Sequence, residues 1–129
     1  MISNPFKKYS DRFSEGSFWK VLNRYARKIG LKAVYSALLL FYAYRQPGTP
    51  SWAKNIIIGA LGYLLSPIDA IPDLSPLIGY TDDIGVLSFG LVTIAGYINE
   101  TVREQARGKV KRWFGEDTTG EMEEVDKVL

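Results

Sequence analysis

Four aspartates, Asp69, Asp73, Asp82 and Asp83, fall within fifteen residues that contain no lysine or arginine. Carboxylate oxygens at this density suit a hard divalent cation such as Mg²⁺, Ca²⁺ or Mn²⁺. Asp69 and Asp73 are four apart and share a face if their segment is helical; Asp82 or Asp83 would close the set. The spacing is not that of an EF-hand loop. A structural explanation competes with the cation. Ser66-Pro67-Ile68-Asp69 has the form of a helix start, with Ser66 as cap, Pro67 at the first position and Asp69 reaching back to a backbone N–H. Ser75-Pro76 and Thr81-Asp82-Asp83 have related forms, so capping and cation binding both remain open. The chain has no cysteine and no histidine. That excludes disulfides, thiolate zinc sites, cysteine nucleophiles and imidazole acid–base catalysis. Nothing marks a substrate pocket for paired-carboxylate hydrolysis. The expectation is a non-enzymatic protein with no cofactor beyond Mg²⁺ or Ca²⁺ on the aspartates.

The elements that must position this turn are helical. At 129 residues the chain has the length of one domain. Residues 1–16 mix Lys7, Lys8 and Arg12 with Phe6, Tyr9 and Phe13 and read as a basic arm. A helical domain follows over 17–114, and 115–129 is an acidic tail expected to fray. Phe18, Val21, Leu22, Tyr25 and Ile29 recur at spacings of three and four, which predicts a helix over 17–30 that breaks at Gly30. Ala33 to Tyr44 is a run of twelve uncharged residues. It is apolar nearly all round, the mark of a buried second helix. Pro47, Gly48 and Pro50 punctuate a turn, and Thr49 can cap a third helix over about 51–65. A fourth helix, capped by Thr81, is expected to run on to about Phe114, with Val102, Ala106, Val110 and Trp113 as its apolar stripe. The fold class is all-α: a small bundle of four main helices with an acidic, proline-rich turn between the third and fourth.

The net charge of +2 conceals a banded pattern. Residues 1–54 carry +8, 55–102 carry −5, 103–112 carry +4, and 113–129 carry −5. Basic clusters flanking an uncharged and acidic stretch fit a helical hairpin over 51–102, with both ends cytoplasmic by the positive-inside rule. Length opposes insertion. The uncharged run Asn55–Ile68 is fourteen residues, about 21 Å as a helix, against about 30 Å of hydrocarbon. Four carboxylates at the bilayer centre would cost on the order of 10 kcal/mol. The alternative is a protein resting on the bilayer through basic, aromatic helix faces. Those faces are Lys20, Arg24, Arg27 and Lys28 on the first helix, and Arg107, Lys111, Arg112 and Trp113 on the last. A soluble helical interaction module satisfies the same pattern without lipid. Arg45 or a first-helix arginine can also neutralise the acidic turn by bidentate pairing.

The run Tyr63-Leu-Leu-Ser-Pro-Ile-Asp69, then Ile71-Pro-Asp73, Pro76-Leu-Ile-Gly-Tyr80 and Asp82-Asp83, resembles the signature of the YkvA-like family, a mainly bacterial domain of unknown function. With Thr49-Pro50-Ser51-Trp52-Ala53-Lys54 the resemblance covers about residues 33–90. Ala70 and Ser75 depart from the larger residues usual in the family pattern. Ser66, Pro67, Asp69, Pro72, Asp73, Gly79, Asp82 and Asp83 match it. The resemblance implies a small, helical, membrane-associated protein with no assigned catalytic residue.

The expected partners are therefore membrane lipid with anionic head groups, and a second copy of the chain if a greasy face is left over. The expected location is the cytoplasmic membrane. No recognised motif points to nucleic acid. Calorimetric titration with Mg²⁺, Ca²⁺ and Mn²⁺ tests the aspartates: saturable binding lost in Asp69→Asn/Asp73→Asn is the expected result. Equal weak heats from wild type and variant would exclude the cation.

Overall fold

In a computed structural model, residues 14–70, 90–115, 117–127 and 129 are described, with side chains assigned for all except 27–29 and 64–70. α1, Glu15–Ile29, begins where the Ser14 hydroxyl accepts the Ser17 N–H at 3.1 Å. That satisfies one of the donors a helix start leaves open. It ends at Gly30, whose φ of 102° is a conformation glycine adopts without steric cost. Of the predicted stripe Phe18, Val21 and Leu22 are buried, as is Ala26, and Tyr25 is half-buried, while Lys20 and Arg24 face outward; the Ile29 side chain lies outside the described set.

α2, Leu31–Arg45, is the centre of the fold. Every residue from Ala33 to Phe41 is buried, and so is Ala43. α2 packs against α1 and against each of the later helices. The run of uncharged residues thus becomes a helix with almost no solvent face. Its buried serine hydroxyl is satisfied locally, Ser36 donating to the Lys32 carbonyl at 2.8 Å.

Gly48, with φ of 95°, turns the chain after α2. Thr49 does something other than expected. Its hydroxyl donates backward to the Ala43 carbonyl at 2.7 Å and accepts from the Gln46 amide at 3.3 Å. It therefore closes the C-terminal end of α2, whose last carbonyls lack helical partners, instead of capping the next helix. α3, Ser51–Ala70, runs past the predicted end at Leu65. Ser66 and Pro67 lie inside it, so Ser66 does not start a new helix there. Proline in a helix interior forgoes one backbone bond, and the helical run on both sides of Pro67 carries across that gap. Pro72, Asp73, Gly79, Asp82 and Asp83 lie outside the described residues, as does the expected start of the fourth helix at Thr81.

Residues 90–93 are helical. Buried Gly90 meets Ala60 and Leu40, where an added Cβ would sit 3.5 Å from the Ala60 Cβ. The helix does not continue to Phe114. It gives way to a 3₁₀ turn at Ala95–Tyr97, and α4 starts afresh at Glu100–Phe114. Asn99 makes that restart, its side-chain oxygen accepting the Val102 N–H at 3.0 Å. Val102, Ala106 and Val110 of α4 are buried as predicted, and Trp113 packs against the core.

The tail is not frayed. α5, Thr119–Asp126, docks on α2 with Met122 and Val125 buried. Among the described residues the fold is all-α, with five α-helices, the helical residues 90–93 and no strand. The stacked rings of Phe18 and Phe41, 4.5 Å apart, pin α1 to α2 at the middle of the core. Phe41→Ala should therefore cost about 3–5 kcal/mol, read as a lowered urea midpoint with the helical circular dichroism retained in water.

Candidate functional site

Where α1, α2 and α4 meet, the buried core opens onto a basic and aromatic surface. Trp19 projects from α1 with its ring edge-on to Phe41 at 5.0 Å and to Trp113 of α4 at 6.2 Å. Both indoles are half-buried. The Lys109 ammonium lies over both rings, 5.1 Å from Trp19 and 5.6 Å from Trp113, within reach of a cation–π attraction. Sequence reading placed Trp113 on this face. It missed Trp19 and Lys109, although Trp19 follows core residue Phe18 and so falls beside the buried stripe.

Beside Trp19 lies an open cleft of about 540 Å³. Trp19, Phe41 and Tyr42 form one wall, Arg45, Gln46 and Pro47 the end, and Asn99, Thr101 and Gln105 the facing edge of α4. Gln46 and Asn99 are committed to structure. The Gln46 amide donates to the Tyr97 carbonyl at 2.6 Å and accepts from Asn99 at 2.6 Å. The Arg45 guanidinium donates to Glu15 at 2.9 Å; the side chains of the acidic turn, which the sequence offered it as partners, lie outside the described residues. Burial pushes the Tyr42 hydroxyl above its ordinary value, and the positive charges of Arg112 and Arg45 oppose that shift. The Tyr42 hydroxyl thus sits in the field of both arginines.

The other predicted surface residues divide. Lys20, Arg24 and Arg112 are exposed; Arg24 lies over the neighbouring Tyr25 ring at 5.4 Å. Lys111 is half-buried. The side chains of Arg27 and Lys28 are outside the described set. Arg107, expected on the basic face, turns toward α5. It donates to Asp126 at 2.8 Å and lies 3.4 Å from Glu100. Asp126 accepts in addition from buried Tyr35 at 2.9 Å. The hydrogen bond to Asp126 raises the Arg107 pKa, while burial raises that of Tyr35 and the bond to Asp126 adds to it. A second ion pair, Lys32 with Glu124 at 2.7 Å, ties α2 to α5 at the surface.

Of the four aspartates only Asp69 falls on a described element, at the end of α3 and without a described side chain. Among the described residues no group of three or more acidic side chains comes together to hold a metal ion. No described helix is long and apolar enough to cross a membrane. Among the described residues the exposed large apolar side chains are Trp52 and Val92.

Residues 53–89 match the family model for DUF1232, described as a protein of unknown function. This is the YkvA-like segment of the chain. The DUF1232 match begins inside α3, later than residue 33, to which the sequence resemblance reaches. It leaves α1, α2, α4 and α5 outside, so the Trp19 cleft and the Arg107–Asp126 pair lie beyond what the DUF1232 match covers. No curated protein and no solved structure matches the chain.

The contacts of α5 set a pH dependence. Its hydrogen bond to Lys32 holds Glu124 below the ordinary 4.5, and the same bond holds Lys32 above 10.5. The Glu124 contribution is therefore complete above pH 4.5 and lost as the pH falls through its lowered value. Those of Lys32 and Tyr35 are complete below 10.5 and 10.0, and lost as the pH rises through their raised values. The stability difference between wild type and Glu124→Gln, from denaturant curves, should be flat between these limits and vanish in acid. Asp126→Ala strips a partner from both Tyr35 and Arg107 and should cost about 1–3 kcal/mol at neutral pH.

Proposed function

We propose that this is a non-enzymatic helical protein that attaches peripherally to an anionic membrane surface, at the cytoplasmic leaflet. The observation that carries the reading is the junction of α1 and α4. There, Lys109 lies between half-buried Trp19 and Trp113; Lys20 and Arg112, each next in sequence to one of these indoles, are exposed, as is Arg24 farther along α1. Indole rings favour the head-group region, where one part is wet and another apolar. Basic side chains near an anionic leaflet contribute about 1 kcal/mol each. No described helix is both long and apolar enough to cross the bilayer, which favours lying on it.

The charge banding supports the same orientation. The 55–102 stretch, net −5, is repelled by an anionic surface, whereas the bands at 1–54 and 103–112, net +8 and +4, are drawn to it. The basic helices α1 and α4 are then the parts of the bundle that meet lipid.

Vesicle flotation tests this. The full chain should float with phosphatidylcholine–phosphatidylglycerol vesicles, fail to float with phosphatidylcholine alone, and be released by high salt. Lys20→Ala/Arg24→Ala should weaken partitioning on the order of 30-fold, at about 1 kcal/mol per charge. Equal binding to neutral vesicles, or binding indifferent to salt and to these substitutions, would overturn the reading.

A further inference from the structure

We propose that α5 covers a second surface for anionic lipid, where a head-group phosphodiester takes the place that the Asp126 carboxylate holds in the closed bundle. The inference rests on the peripheral attachment proposed above and adds to it a surface that is shut in the free protein.

α4 carries positive charge on both sides of its buried stripe of Val102, Ala106 and Val110. Lys109 falls on the side of α1, where it meets the two indoles. Arg103, Arg107 and Lys111, each four residues from the next, form a line on the other side. All three are half-buried. Arg107 shows which helix lies along this line, since it bonds Asp126 of α5 at 2.8 Å. Lys32 of α2 reaches the same helix at Glu124, 2.7 Å away. α5 has four acidic side chains and no basic one. It lies as an acidic strip over basic residues of two helices and offsets charge that would otherwise add to the attachment surface.

The contact at Asp126 has the form of an anion site with an occupant. The Tyr35 hydroxyl donates to one carboxylate oxygen at 2.9 Å and Arg107 donates to the other at 2.8 Å. Tyr35 is buried on α2 and Arg107 stands on α4, so the core holds both donors in place independently of α5. A phosphodiester presents two non-ester oxygens that share one negative charge, as a carboxylate does, and a guanidinium binds either. Lys32, three residues before Tyr35 and on the same side of α2, supplies a further charge once Glu124 leaves it.

The occupant is lightly held. Eight residues have little helix stability of their own. Thr118 gives the start of α5 no side-chain cap; its hydroxyl donates to the Gly115 carbonyl. Met122 and Val125 are the buried anchors. The Lys32–Glu124 pair is about half-exposed on both sides, and such a pair is weakened by salt and by competing anions. An anionic leaflet presents competing phosphates at high density and repels the four carboxylates of α5. Approach to the leaflet therefore weakens the cover and favours what replaces it.

Vesicle flotation of the full chain, with hydrogen exchange followed on and off the vesicles, tests the cover. Glu124→Gln/Asp126→Asn loosens it. Asp117→Asn/Glu123→Gln removes the same charge from exposed positions outside the ion pairs and is the control. On phosphatidylcholine–phosphatidylglycerol vesicles the first variant should bind on the order of tenfold tighter than the control, with no gain on phosphatidylcholine alone. Adding Lys32→Gln should remove part of that gain. In the wild type, the amides of 119–126 should lose protection on anionic vesicles while those of α2 keep theirs, a readout that needs no variant. Equal binding by the two double variants overturns the proposal, as does a wild type that floats with α5 still protected; surface attachment survives both results. Failure of every chain to float on anionic vesicles overturns the attachment and the cover together.

Discussion

The rest of the structure depends on the burial of α2 on every side. A helix with nine consecutive buried residues cannot be covered by a single partner. An amphipathic neighbour hides only about a third of its circumference, so at least three must surround it. α1, α3 and α4 supply large parts of that cover, and α5 closes a part the longer helices leave bare. This explains why a short acidic segment at the end of the chain is ordered at all. Eight residues have little intrinsic helix stability; α5 is helical because Met122 and Val125 complete the shell around α2 and Asp126 answers the buried Tyr35 hydroxyl.

Much of this was legible in the sequence. The stripe of α1, the all-round apolar run of α2, the break at Gly30 and the glycine–proline turn at 47–50 each follow from periodicity or turn chemistry. Those signals are local. What was illegible was decided between distant residues. Nothing near Thr49 shows that its hydroxyl will turn back to Ala43, because the choice between two helix ends depends on how the turn packs. The Ser66-Pro67 pair has the form of a start, yet the helix runs through it. Asn99 is a cap that could have been read, since a polar residue just before Glu100 is the usual signature. Residues 84–99 carry no charge, and that run, read as one continuous helix, hid it.

The candidate site was legible in its charge and not in its geometry. Banding located the basic helices, and Trp113, Lys20, Arg24 and Arg112 lie where the pattern put them. Arg107 shows the limit of composition. It belongs to the same stripe of charges but serves a half-buried carboxylate ninety-one residues from the tyrosine that shares it, the separation of Tyr35 and Asp126 in sequence. The Trp19–Lys109–Trp113 arrangement joins two helices far apart in the chain, so no local spacing announces it. The family match bears on neither, for it covers 53–89 alone.

The clasp between Gln46 and Asn99 has a topological consequence. These side chains, fifty-three residues apart and 2.6 Å from each other, join the exit of α2 to the entrance of α4. Everything in the DUF1232 segment is thereby an excursion with pinned ends. The entropy of closing such a loop grows only with the logarithm of its length, so even doubling it adds about 0.6 kcal/mol. Insertions between the two amides are therefore cheap in chain entropy wherever they spare Ala53, Ile56, Ile57, Ala60 and Leu61, the α3 residues buried in the bundle. The clasp fixes where the excursion starts and ends, and α3 fixes the part of it that the core cannot lose.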